Sequence, residues 1–99
     1  LDSNLINHKI DYSKQIKILP EYPRVAIIRG LEGKVVINIK VDETRKITEI
    51  SLGKTSGSRI LDEAALNAAK KIVDKTFYAP EINLPAIIQV PIKFKLKSG

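Results

Sequence analysis

The chain has 99 residues, of which 43% are hydrophobic and 28% charged, and its formal net charge is +6. This length suits a single domain with one small hydrophobic core. The sequence contains no cysteine, which excludes disulfides, thiolate metal sites and a cysteine nucleophile. It also has no run of about 18 apolar residues, so no membrane-spanning helix is predicted.

The N-terminal part predicts an extended segment followed by a short helix. Residues 1–15 are polar and weakly patterned, so we expect a flexible N-terminal arm, and we place the folded domain at residues 16–97. Two prolines in residues 16–23, "IKILPEYP", favour extended backbone. Pro23 then suits the first turn of a short helix over "RVAIIR", which Gly30 ends.

Two strands joined by a polar turn are predicted next. Apolar and polar side chains alternate through residues 34–41, "KVVINIKV", with the period of a half-buried strand. The polar residues 42–46 form a turn, and residues 47–53 return as the second strand of a hairpin. Because Ile47 is out of phase with the later apolar residues of this strand, we expect a β-bulge or a change of face near Thr48.

A long helix is predicted over residues 56–75, "SGSRILDEAALNAAKKIVDK". Ser58 is a suitable N-cap residue. Asp62 and Glu63 lie near the first turn and lysines lie near the end, so both signs of charge complement the helix dipole. The apolar residues recur at the helical period and predict one buried stripe, formed by Leu61, Ala65, Ala68, Ala69 and Ile72.

The last strand is predicted within residues 85–96, "PAIIQVPIKFKL", although Pro91 interrupts it. Proline cannot donate a hydrogen bond to a neighbouring strand, so it occurs mainly on edge strands. The helical crossover before this strand agrees with an edge position, provided that the first strand lies between the other two. We therefore predict an α+β fold, a three-stranded antiparallel sheet ordered second, first and third, with a short and a long helix packed on one face.

No pattern in the sequence predicts an enzyme, a cofactor site or a metal site. The segment "GKTS" at residues 53–56 lacks the first glycine of a phosphate-binding loop, because position 48 is threonine, and a helix-capping turn is the better interpretation. His8 is the only histidine, so a zinc site lacks a second nitrogen ligand and a nucleophile lacks a nearby base.

A basic nucleic-acid-binding module is the alternative class of function. Lys93, Lys95 and Lys97 line one face of the last strand, but no aromatic side chain that would stack on bases lies among them. The remaining lysines are scattered, which is typical of an ordinary solvated surface. We therefore keep nucleic-acid binding only as the alternative and expect no nucleic-acid partner.

Three blocks of the sequence resemble the C-terminal domain of TonB-type energy transducers, namely "EYPRVAIIRGLEGKVVINIKV", "SGSRILDEAALNAAKK" and "VPIKFKL". The resemblance covers residues 20–96 and depends on the order and spacing of short motifs. The related TolA C-terminal domain, which serves envelope integrity, shares the architecture and is a further alternative. The Tyr22–Pro23 motif and the "SG…LD" block favour the TonB family.

The sequence departs from this family at two places. Arg45 stands where the family usually has a glycine in the hairpin turn. The family also commonly has a tryptophan after the long helix, a place that either Phe77 or Tyr78 would take.

The resemblance implies a non-enzymatic coupling domain in the periplasm of a Gram-negative bacterium. The chain opens on Leu1, and we expect it to be part of a longer protein that an upstream helix anchors in the inner membrane and that contacts ExbB and ExbD. The domain would bind the TonB box of outer-membrane receptors by β-strand addition and transmit proton-motive-force energy for the uptake of iron chelates or cobalamin-like cargo. It would be a monomer or a strand-exchanged dimer.

The resemblance also assigns partner-binding residues. The last strand would lie beside the TonB box, and the extended segment before the Tyr–Pro motif would contact it as well. A glutamine that is important in the family aligns with Leu19. Arg24 would meet an acidic group of the receptor, or else be an ordinary solvated cation. The predicted partner-binding residues are Leu19, Pro20, Glu21, Tyr22, Arg24, Ile87, Ile88, Gln89, Val90 and Lys93.

Overall fold

The computed structural model describes residues 16–78 and 82–97. The arm predicted for residues 1–15 lies outside the described residues. The order of helices and strands is the predicted one. The elements are α1 (Arg24–Arg29), β1 (Gly33–Val41), β2 (Ile47–Lys54), α2 (Arg59–Ala69), a 3₁₀ turn (Lys70–Ile72) and β3 (Ala86–Phe94).

The three strands form one antiparallel sheet in the order β2-β1-β3, which confirms the predicted α+β topology. β1 and β3 pair without any shift in register. The register of β1 and β2 shifts twice, so that Thr48 and Gly53 each lack a residue opposite them on β1. The bulge predicted near Thr48 is therefore confirmed, and such bulges bend and twist the strand that carries them.

The core lies on the face of the sheet that the helices cover. Because a strand alternates its side chains between two faces, every second residue of β1 and β3 points to this face. All five residues of the predicted α2 stripe are buried, and α1 contributes Ala26. The sheet residues of the core are Val35, Ile37, Ile39, Val41, Ile47, Ile88, Val90, Ile92 and Phe94.

Both helices have the predicted end signals. The Ser58 hydroxyl accepts a hydrogen bond from the backbone N–H of Leu61 at 3.4 Å and so caps the start of α2. Pro23 precedes α1 in extended conformation. Gly30 ends α1 in the left-handed region, with φ 67°, where a residue without Cβ avoids a steric penalty.

The end of α2 differs from the prediction. The α-helix stops at Ala69 and a 3₁₀ turn continues to Ile72, so the predicted end at residue 75 is wrong. Asp74 adopts a left-handed conformation, with φ 75°, and returns the chain to β2. This reversal buries Phe77, which is 2% exposed, whereas Tyr78 is 71% exposed. Phe77 therefore takes the core place after the long helix.

The hairpin turn between β1 and β2 has a backbone geometry that suits glycine, although arginine occupies the position. Arg45 has φ 71°, a conformation that costs a residue with a Cβ roughly 1–2 kcal/mol. The carboxylate of Asp42 accepts hydrogen bonds from the backbone N–H groups of Thr44 (2.8 Å) and Lys46 (3.0 Å), and from the Thr44 hydroxyl (2.6 Å). These bonds, with that of the Thr44 hydroxyl foremost, lower the pKa of Asp42.

Candidate functional site

β3 forms an edge of the sheet, and no other described residue is hydrogen-bonded to the backbone on its outer side. Within residues 16–78 and 82–97, β3 pairs with β1 and with no other strand. An unpaired edge presents a row of backbone donors and acceptors to another chain. The predicted edge position of the last strand is thus confirmed, and this edge is the candidate site.

Pro91 shows which backbone groups face outward. It lies opposite Val36 in a register that continues unbroken on both sides. A proline that interrupted hydrogen bonds to β1 would break this ladder, so its nitrogen lies on the outer side. Hydrogen-bonded and non-hydrogen-bonded pairs alternate along an antiparallel ladder. Hence Ile87, Gln89 and Lys93 direct both N–H and C=O to the open edge, and Pro91 contributes its C=O.

The predicted β3 site residues divide between the two faces of the sheet. Ile88 and Val90 are each 3% exposed, and their side chains belong to the core. Ile87 is 65% exposed, and Gln89 and Lys93 are also exposed on the face without helices. A strand added to this edge would therefore place its alternate side chains beside either group.

The segment of residues 16–20 runs beside the second half of β3. Ile16 is buried in the core, whereas Leu19 is 81% exposed. This segment and residues 90–93 form the walls of a groove of about 390 Å³. No backbone hydrogen bond joins the two walls among the described residues. Leu19 and Pro20 thus lie at the β3 edge without pairing with it.

Tyr22 is engaged inside the domain. Its hydroxyl donates a hydrogen bond to the backbone C=O of Leu31, and its ring packs edge-on against Phe94, with centroids 5.3 Å apart and planes at 81°. Burial, together with the negative charge of Glu32, raises the pKa of Tyr22. Its hydrogen bond and ring contact fasten the extended segment to the end of β3.

Glu21 and Arg24 flank Tyr22 in the sequence, and both are exposed. Glu21 lies with Leu19 in a second groove, which runs between the extended segment and α2. Leu19 borders the groove at the β3 edge as well, whereas Glu21 does not line it. Within the described part of the chain, Arg24 forms no ion pair.

The structure adds Asn38 to the site, which the sequence prediction missed. Asn38 lies opposite Gln89, and the Gln89 Nε2 atom donates a hydrogen bond to Asn38 Oδ1 at 3.0 Å. A side-chain amide at an outward position of the middle strand was the available signal. Asn38 could be assigned to the site only from the register of β1 and β3, which places it beside Gln89.

Positive charge accumulates at one end of the open sheet face. Lys34 lies directly opposite Lys93, and Lys54 lies opposite the next outward residue of β1, Val36. Among the described residues the only ion pair is between Arg59 and Glu63, so no carboxylate neutralises these lysines by contact. Like charges directly opposite each other destabilise a sheet, typically by a few tenths of a kcal/mol.

The "GKTS" segment is a capping turn, as predicted. The carboxylate of Asp62 accepts hydrogen bonds from the Thr55 hydroxyl, from the backbone N–H of Ser56 (2.9 Å) and from the Ser56 hydroxyl (2.8 Å). Burial acts to raise the pKa of Asp62, but these hydrogen bonds outweigh it and hold the pKa below its ordinary value. The segment thus uses its polar groups to join the end of β2 to α2.

Neither helix in the described part of the chain has the length and hydropathy that a membrane span requires. The same residues contain no group of three or more histidine, cysteine, aspartate or glutamate side chains placed to hold a metal ion.

Comparison with known families and solved structures identifies the fold. The family model described as the Gram-negative bacterial TonB protein C-terminal matches residues 19–96. The solution structure of the TonB C-terminal domain of Helicobacter pylori superimposes with a TM-score of 0.65 at 30% sequence identity, over 81% of this chain and 72% of that one.

Comparison with full-length proteins gives the same family. The TonB protein of Xanthomonas campestris pv. campestris is 33% identical over 94 residues, which are 92% of this chain and 41% of that protein. The TonB protein of Vibrio cholerae is 33% identical over 81 residues, which are 82% of this chain and 33% of that protein. The chain therefore spans less than half the length of these relatives. It belongs to the TonB C-terminal domain family, whose members are non-enzymatic energy transducers.

Proposed function

We propose that this domain is the periplasmic receptor-coupling part of a TonB protein and that it binds the TonB box of outer-membrane transporters by β-strand addition. The observation that carries the proposal is the open edge of β3. Its outer backbone groups have no partner among the described residues. Strand addition satisfies such groups with the backbone of the guest.

The open edge of β3 suits a guest strand whose amino-acid sequence is only loosely specified. Ile87, Gln89 and Lys93 each offer a donor and an acceptor, and Pro91 offers an acceptor. Each backbone hydrogen bond contributes about 0.5–1.5 kcal/mol net. Because these bonds do not depend on side chains, one domain would serve several receptors.

The extended segment supplies the second wall of the docking groove. Leu19 presents an apolar side chain and Pro20 a rigid backbone beside residues 90–93. Arg24 is exposed and free of an ion pair among the described residues, so it suits an acidic group of the receptor. These contacts would add side-chain selectivity to a guest held mainly by its backbone.

β-strand addition also suits the transmission of force. A strand pulled along its own length loads its ladder of hydrogen bonds in parallel, so a few residues hold while the receptor is remodelled. The energy would come from the proton gradient through ExbB and ExbD, which act on an inner-membrane anchor outside this chain. The transported cargo would be iron chelates or cobalamin-like compounds.

A titration tests this function. The ¹⁵N-labelled domain is mixed with a synthetic peptide that carries a TonB box, and backbone amide shifts are followed. We expect saturable shifts concentrated in residues 86–94 and in residues 16–20. A single-stranded oligonucleotide is the control, because binding to nucleic acid weakens steeply with salt and would shift the lysines. Peptide shifts centred on β2, or none at all, would rule out docking at β3.

The same edge makes self-association a competing reaction. A second copy of the domain would offer its own β3 to the first, so the domain is expected to be a monomer when dilute and to dimerise by strand pairing when concentrated. Sedimentation over a range of concentrations measures this, and the TonB-box peptide should dissociate the dimer.

A further inference from the structure

A row of polar side chains crosses the open face of the sheet and ends at the free edge. Ser51 on β2, Asn38 on β1 and Gln89 on β3 lie opposite one another in the register. Gln89 donates from Nε2 to Asn38 Oδ1 at 3.0 Å, and among the described residues this is its one side-chain hydrogen bond. Its second amide N–H and its carbonyl oxygen Oε1 therefore stay available.

The contact with Asn38 leaves the amide oxygen of Gln89 free. The nitrogen and oxygen of a primary amide diverge from the amide carbon, and only Nε2 takes part in the bond to β1. Gln89 lies on the edge strand with its side chain exposed, so Oε1 is open to a donor from a guest strand. Stacked side-chain amides of neighbouring strands form such ladders, each amide donating to the next.

Gly53 leaves the space that the side chain of Asn38 occupies. A Cβ atom at Gly53 would lie 2.5 Å from Asn38 Oδ1 and 3.0 Å from Asn38 Cγ. Any side chain at position 53 would therefore push the Asn38 amide from its place. The bulge at Gly53 leaves room for Asn38, and Asn38 in turn orients Gln89.

We propose that Asn38 is a positioning residue that orients Gln89 to accept a hydrogen bond from a side-chain amide of the guest strand, and that this contact selects the guest and fixes its register. The inference rests on the proposed function, because it needs a strand docked on β3. It goes further by assigning the chemistry of one guest position: the residue beside Gln89 is a donor, and glutamine and asparagine fit it best.

The non-hydrogen-bonded pairing of Asn38 with Gln89 supports the positioning role of Asn38. Asn38 and Gln89 occupy such a pair with each other, and side chains in these pairs approach most closely. Whether the guest runs parallel or antiparallel, one of its residues lies beside Gln89 on the open face. The requirement for a donor at that residue therefore does not depend on strand direction.

The experiment uses two peptides of equal length that differ at one position, Glu-Thr-Val-X-Val-Thr-Glu with X as glutamine or methionine. The valines would lie on the side of Ile88 and Val90, and X would lie beside Gln89. One neutral hydrogen bond changes affinity by about three- to tenfold. We expect the glutamine peptide to bind the wild-type domain more tightly by that factor and to shift the side-chain amide signals of Gln89.

Variants separate positioning from folding. In Asn38→Ala the ratio of the two affinities should fall to about one while the methionine peptide binds as before. Asn38→Asp retains an acceptor for Gln89 and should restore the ratio. Gly53→Ala should behave like Asn38→Ala, and Ser51→Ala, at the far end of the row, should leave the ratio unchanged. Circular dichroism confirms that each variant is folded.

The possible failures are distinguishable. If both peptides bind the wild-type domain equally well, the donor preference is wrong although strand addition stands. If Asn38→Ala keeps the full preference, Asn38 does not position Gln89. If neither peptide binds the domain in a saturable way, and a TonB-box peptide also fails, both the proposed function and this inference are overturned.

Discussion

The two edges of the sheet differ in how far other parts of the chain cover them. The outer edge of β2 is covered where the strand begins, because Ile47 N donates to Lys75 O (2.9 Å), Asp74 N donates to Ile47 O (2.7 Å) and Phe77 N donates to Arg45 O (2.8 Å). The outer edge of β3 has no such cover among the described residues.

The irregularity of β2 adds to this difference. Two bulges, at Thr48 and Gly53, disturb its ladder with β1, and bulges make an edge a poor template for another strand. β3 keeps regular register over its whole length. A covered, bulged edge and a regular, open edge on one small sheet indicate that the domain directs association to β3.

The largest effect is expected from removing the cover of the β2 edge. Phe77→Ala deletes one of the largest fully buried side chains, and such changes cost about 3–5 kcal/mol. We expect a matching fall in the free energy of unfolding, measured by urea denaturation, and faster amide exchange at Ile47. Tyr78→Ala is the matched control, since that side chain is 71% exposed and its loss should change stability by less than about 0.5 kcal/mol. Equal effects of the two changes would contradict this assignment.

The next effect concerns the other end of β2, which Asp62 fastens to α2. Asp62→Ala leaves the backbone N–H of Ser56 and two hydroxyls without their acceptor and should cost about 2 kcal/mol. Glu63→Ala, which removes an exposed carboxylate from the same helix turn, should cost far less.

Lowering the pH should reveal how much the Asp62 carboxylate contributes to the stability of the domain. The pKa of Asp62 is lower in the folded domain than its ordinary value of about 3.9, so protons bind the unfolded chain first as pH falls. The stabilisation is therefore complete above about pH 5 and is lost as pH falls through the folded pKa. Urea midpoints measured from pH 6 to pH 2 should show a smaller acid-dependent loss in Asp62→Asn than in the wild type.

A smaller effect tests the β3 edge itself. Gln89→Pro removes an outward N–H and should leave the ladder to β1 intact, so the domain should fold while its affinity for a TonB-box peptide falls at least about tenfold, or 1.4 kcal/mol. Gln89→Ala is the control that loses the side chain but keeps the N–H, and it should bind much more tightly than Gln89→Pro. Ile88→Pro should instead unfold the domain, because Ile88 directs its N–H to β1 and its side chain to the core. Undiminished peptide binding by folded Gln89→Pro would exclude docking at this edge.

The smallest effect concerns the turn that leads into β2. Arg45→Gly should raise the free energy of unfolding by about 0.5 kcal/mol. The steric strain that glycine relieves at φ 71° exceeds the free-energy cost of the extra entropy that glycine gives the unfolded chain. Glu43→Gly, at a position without positive φ, should slightly lower it. Thermal denaturation would distinguish these opposite shifts.

Local patterns were enough to predict most of the fold. The alternation in β1 and β3, the apolar stripe of α2, the Ser58 cap and the edge position of Pro91 each depend on spacing along a few residues, and the structure confirms them. The end of α2 was mispredicted, because lysines and apolar residues continue the helical pattern to residue 75. In the structure the chain instead reverses after Ile72, with Asp74 at φ 75°, and Phe77 is buried in the core.

The candidate site was predictable only in part. The resemblance pointed to β3 and to Leu19, Pro20 and Glu21. In the structure Leu19 and Pro20 line one groove with β3, and Glu21 lies in another groove. The partner of Gln89 was not found, since Asn38 lies 51 residues earlier in the chain.

The amino-acid sequence alone determined which faces of β1, β3 and α2 are buried, where the hairpin turns and which strand lies at an edge, because periodicity, capping residues and proline act over short distances. Only the tertiary structure decided that the β2 edge is covered, that Tyr22 is fastened to Leu31 and Phe94, and that Asn38 meets Gln89. These contacts depend on strand register and on the path of connecting segments, which are set by the packing of the whole core.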